Sequence, residues 1–112
     1  MSEERTFEKR LRREIEALLV QAEFKEANVF VFETEPANVM IQVIYPWGYL
    51  DEAVIAERKV TIFRLVEDFC FDKLGCNFSG GVFATRTYLR AWIHKTPIAQ
   101  RRLDKLPDSF SV

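Results

Sequence analysis

The chain has 112 residues, 16 Lys and Arg against 17 Asp and Glu, a net charge of −1 and a hydrophobic fraction of 48%. That length makes one domain, and that apolar fraction excludes a disordered chain. Two cysteines are too few for a disulfide scaffold, and no Cys/His spacing has the form of structural zinc.

No apolar run approaches the roughly 18 residues of a membrane span. The N-terminus, MSEERTFEKRLRRE, lacks the apolar core of a signal peptide. The expectation is a soluble, cytoplasmic protein with no membrane partner. A single α+β domain should cover residues 1–106, with a short tail at 107–112. Charge is uneven: residues 1–26 carry six bases and seven acids, residues 27–84 four and eight, and residues 85–112 six and two. The near-neutral total therefore conceals an acidic middle and a basic C-terminal quarter.

The first segment, about 3–24, reads as an amphipathic helix with Phe7, Leu11, Ile15, Leu18 and Ala22 on one stripe. Ser2 suits its N-cap, and Glu8 with Arg12 makes an i,i+4 pair for the exposed side. Two strands follow, Asn28–Thr34 and Val39–Tyr45, joined by the turn-forming Glu35-Pro36-Ala37-Asn38. Both are apolar at nearly every position, so both faces are expected to be covered.

Pro46-Trp47-Gly48-Tyr49 reads as a loop, and Asp51 is placed to cap a helix over 51–74. Ile55, Ile62, Phe63, Val66, Phe69 and Cys70 form its apolar stripe, and Gly75 suits its stop. Val60-Thr61-Ile62-Phe63 has strand chemistry, which leaves a broken helix as the competing assignment. Gly80-Gly81 reads as a break. Residues 82–94 then alternate as a third strand, with Phe83, Leu89, Ala91 and Ile93 on one face. Thr96-Pro97 opens a short basic helix over 97–106. The order α-β-β-α-β plus a terminal helix predicts a two-layer α+β sandwich with a three-stranded sheet, two helices covering one face. Were the third strand parallel to the second, the crossover through 51–74 would be right-handed.

The other face of the third strand carries Arg86, Tyr88, Arg90, Trp92 and His94, alternating cation and ring about 6.5–7 Å apart. Such a row suits a protein interface, where Trp, Tyr and Arg dominate binding energy, or a surface that stacks single-stranded bases. In a third reading Glu33 and Glu35 simply neutralise Arg86 and Arg90. A pI near 5.9 disfavours a strong nucleic-acid binder, and the basic tail of Lys95, Arg101, Arg102 and Lys105 reads first as a solvated face. Trp47 and Tyr49 join the candidate partner-binding residues because loops carry binding side chains.

Enzymatic motifs are absent. Cys76 and His94 are the only conceivable nucleophile and base, and nothing in the spacing brings them together. Asp68 and Asp72 lack a third ligand for a metal, and no phosphate-binding glycine motif occurs, so no cofactor is expected. The expectation is a non-enzymatic adaptor, inhibitor or assembly protein that binds protein, or a second copy of itself, through its aromatic and basic sheet face. Single-stranded nucleic acid is the alternative partner for the same face.

Overall fold

The computed structural model describes residues 6–44, 51–76, 78–82 and 88–106, with the backbone alone at 6, 78–82, 88 and 89. Chain order runs α1 (Thr6–Gln21), β1 (Asn28–Glu35), β2 (Asn38–Ile44), α2 (Glu52–Phe69), a π-turn (Cys70–Leu74), β3 (Phe78–Val82), β4 (Tyr88–His94) and α3 (Pro97–Lys105). The strands form one sheet in the order β1-β2-β4-β3, every neighbouring pair antiparallel. β2 and β3 therefore run the same way, with β4 inserted between them.

The α+β class and the α-β-β-α-β order with a terminal helix hold. The sheet gains a fourth strand, because the segment read as one strand over 82–94 contributes β4, and β3 precedes it on the outer edge. The expected break at Gly80-Gly81 lies inside β3, where Gly80 faces Trp92 and Gly81 faces Ala91. The register shift between Phe78 and Gly80 makes Ser79 the extra residue of a bulge. An edge strand with a bulge accommodates a glycine pair that a central strand would not.

One apolar layer joins the helices to a single face of the sheet. Phe7, Leu11, Ile15 and Leu19 on α1 and Ile55, Ile62, Val66 and Cys70 on α2 meet Val29, Val39, Ile41, Val43 and Ile93 of the sheet, with Ala99 and Leu103 of α3 completing the layer. Four residues of the expected stripes, Leu18, Ala22, Phe63 and Phe69, are only partly buried. Leu19, outside the expected stripe, is in the core, and Cys70 is buried as expected.

Glu8 also departs from expectation. It is buried, 5% exposed, and pairs with Lys95 rather than Arg12, which instead meets Glu16 at 3.3 Å. Position 8 lies three residues before Leu11 and seven before Ile15, on the inner half of the helix.

The strand-like chemistry of Val60–Phe63 yields to the helix, where the Thr61 hydroxyl donates to the Glu57 carbonyl at 3.0 Å. Asp51 takes the N-cap position of α2 with extended backbone but makes no side-chain cap bond. Thr96 does cap α3, accepting the Ala99 N–H at 3.0 Å. The expected Ser2 cap lies outside the described residues, as does the tail at 107–112.

Gly75 ends α2 as its position implies, at φ 69°, after the last turn has widened to the π form. A Cβ there would sit 2.9 Å from the Arg102 guanidinium. Gly75→Ala is therefore expected to destabilise the protein by about 1–2 kcal/mol from backbone strain, measured by urea denaturation.

Candidate interaction face

The strand registers define what the side of the sheet away from the described helices presents. Val29, Val31, Ile41, Val43, Ala91 and Ile93 share the parity that faces the helices, so the intervening residues face outward. Three rows result: Phe32, Met40, Trp92 and Gly80; Phe30, Gln42, Arg90 and Val82; and Asn28, Ile44 and Tyr88. Direct cross-strand neighbours have Cβ atoms about 4.5–5.5 Å apart, which makes each row a continuous contact surface.

Phe30 is 46% exposed and Phe32 42%. Met40 is buried at the centre of its row without belonging to the main core, held between its neighbours Phe32 and Trp92. Trp92 and Arg90 are half-buried and His94 is exposed. The described helices do not supply the expected cover for this second face, because they all join the core on the other one.

Of the residues expected to bind a partner, the structure brings Tyr88, Arg90, Trp92 and His94 onto this one outward side of β4. Trp47, Tyr49 and Arg86 lie outside the described residues, and for Tyr88 the backbone position alone is described. The two phenylalanines of β1 were not singled out in the sequence. Their signal is the alternation of β-branched Val29 and Val31 with Phe30 and Phe32, which assigns the two residue types to opposite faces.

Neutralisation of Arg90 by Glu33 does not fit the sheet. Glu33 faces Val39 on the helix-side parity, while Arg90 faces Gln42 on the other, and β2 stands between β1 and β4. The Glu33 carboxylate instead accepts the Ala37 N–H at 2.9 Å inside the hairpin turn. Glu35 closes that hairpin opposite Asn38.

The nucleophile and base considered from the sequence lie on opposite sides of the sheet. Cys76 is buried in the core, whereas His94 points from the outer face. Among the described residues no group of three His, Cys, Asp or Glu side chains is placed to hold a metal, and Asp68 and Asp72 are exposed. Nor, among them, is any helix long and apolar enough to cross a membrane. A cleft of about 310 Å³ lies between α1 and the end of α2, lined among others by Leu18, Phe69, Lys73 and Leu106. It accounts for the partial exposure of Leu18 and Phe69.

No family model matches this chain. No curated protein and no solved structure is significantly similar to it either. Functional assignment therefore rests on the face itself.

Proposed function

We propose that this protein is a non-enzymatic adaptor, inhibitor or assembly protein that binds another protein through the outer face of its sheet. The observation that supports the reading is the Phe32–Met40–Trp92 row, flanked by exposed Phe30, on a side that no described helix joins. Four strands about 4.8 Å apart and some six residues long span roughly 400 Å². On that face Phe30 and Phe32 are the large exposed apolar side chains, and aromatic rings exposed together suit an interaction site. Among the described side chains the three rows carry one charge, Arg90, and their end row adds His94 and Glu35, so the surface is weakly charged and suits an apolar protein partner better than a phosphate backbone. A second copy of the chain is the simplest partner, since most oligomers are symmetric pairs of one surface.

Sedimentation over a dilution series tests this directly. The wild type is expected to self-associate, and Trp92→Ala to weaken association by at least about 2 kcal/mol, roughly 30-fold, with modest salt dependence. A monomer at all concentrations would reject the self-association. Trp fluorescence quenched by a single-stranded oligonucleotide, tightly at about 50 mM salt and weakly at about 200 mM, would instead assign the face to nucleic acid.

A further inference from the structure

The C-terminal end of α2 assembles a second feature that the outer face does not use. The π-turn and the left-handed Gly75 fold the chain back so that the Cys76 N–H reaches the Cys70 carbonyl at 3.1 Å. The Cys76 thiol also donates to that carbonyl, at 3.7 Å. The two cysteines are thus neighbours, six residues apart, at the same helix end, the thiol of one against the backbone of the other. Both are free thiols.

We infer that Cys70 and Cys76 form a reversible redox site, a dithiol that closes to an intramolecular disulfide by exchange with a low-molecular-weight, anionic disulfide of the glutathione type. The two partners are unequal in a way that sets the order of attack. Cys70 is fully buried, whereas Cys76 retains 6% exposure beside the exposed Gly75. A hydrogen bond to the Cys76 side chain, and then burial, push the Cys70 thiol far above its ordinary range. The same bond favours the thiolate at Cys76 and lowers its pKa, against a smaller opposing effect of burial. Cys76 is the attacking thiolate. The Arg102 guanidinium lies across Gly75, while the exposed Asp72 and Lys73 of the π-turn offset each other, so Arg102 supplies the net positive charge near Cys76 that suits an anionic reagent.

Exchange proceeds in two balanced steps. Cys76, having lost its proton, attacks one sulfur of the reagent, breaking its S–S bond and releasing one thiolate. Cys70 then loses its proton and attacks the Cys76 sulfur of the mixed disulfide, releasing the second thiolate. The two protons leave on the two released thiols, so one dithiol and one disulfide become one protein disulfide and two thiols. Because the Cys76 thiol already lies against the Cys70 backbone, ring closure is expected to need no unfolding of α2.

The full folded chain, incubated with excess oxidised glutathione, quenched, alkylated and peptide-mapped, tests the proposal. The expected product is two hydrogens lighter, carries a Cys70–Cys76 crosslink, takes up no alkylating reagent and keeps its helical circular dichroism. Cys70→Ser should stop at a glutathione adduct on Cys76, and Cys76→Ser should react at least about 10-fold more slowly than Cys70→Ser. A crosslink that forms only in denaturant, a wild-type chain that stops at adducts, or a crosslink between two chains would overturn the site. Equal reactivity of the two variants would overturn the order of attack. The wild-type product decides the pairing even if either variant fails to fold.

Discussion

Ile41→Ala is expected to destabilise the protein by about 2–5 kcal/mol, while Phe32→Ala on the opposite face of the same sheet changes stability by about 1 kcal/mol or less. Ile41 is fully buried at the middle of β2, between Val31 and Ala91 on the helix-facing side. Removing its side chain leaves a cavity in a layer closed by α1 and α2, and that layer relaxes only in part. Phe32 sits on the edge strand β1 and already shows 42% of its surface to water. Its truncation forfeits contact with Met40 but opens no enclosed void. Urea denaturation of the two variants measures the difference. If Phe32→Ala costs as much as Ile41→Ala, the outer face is a second core rather than an interaction surface, and the proposed function loses its support. If the expected asymmetry appears, the aromatic residues of the outer face contribute little to folding, and their exposure calls for a partner.

How much of this the sequence disclosed depends on the range of the interaction involved. Local signals were readable. The four-residue spacing of Phe7, Leu11 and Ile15, the Thr96-Pro97 start of α3 and the glycine stop at Gly75 each report a contact made within one turn of the chain. The outward alternation on β4 was readable for the same reason, since strand parity is a local property.

What failed was set by distant residues. Whether β1 and β2 are covered on both faces depends on where the helices go, and the near-continuous apolar run of VFVF could not distinguish Val from Phe by hydrophobicity alone. Gly80-Gly81 was misread because a bulged edge strand owes its existence to β4, its pairing partner, and not to the propensities of its own residues. The Cys70–Cys76 contact depends on a π-turn, which shifts the residues past it relative to α-helical periodicity, so the spacing of five intervening residues gave no hint of it.

Lys95→Met is expected to destabilise the protein by about 3–5 kcal/mol, and Glu8→Leu in the same background to restore at least that loss. Glu8 is nine-tenths buried on α1, and neither of its carboxylate oxygens has a hydrogen-bond partner. Lys95, just past β4, brings its ammonium to 3.6 Å from Oε2 and packs over the Phe7 ring at 5.3 Å from the centroid. That separation exceeds hydrogen-bond length, so the pair gains Coulomb attraction without the directional bonds that normally offset desolvation. Removing the lysine alone leaves a buried carboxylate with no compensating charge. Removing both replaces two desolvated ions with apolar side chains against Phe7 and Leu11, and the double variant should equal or exceed the wild type in stability.

The double-mutant cycle measured by denaturation isolates the coupling, and a value near zero would show that water, not Lys95, compensates Glu8. The cycle also bears on the architecture. Lys95 is tied to the first hairpin through its backbone N–H, which donates to the Ala37 carbonyl at 2.8 Å, and to α1 through Glu8. One residue thus joins the start of the first helix, the turn of β1 and β2 and the end of β4. A large coupling would mean that this junction, rather than helix–sheet packing alone, fixes where α1 lies across the sheet.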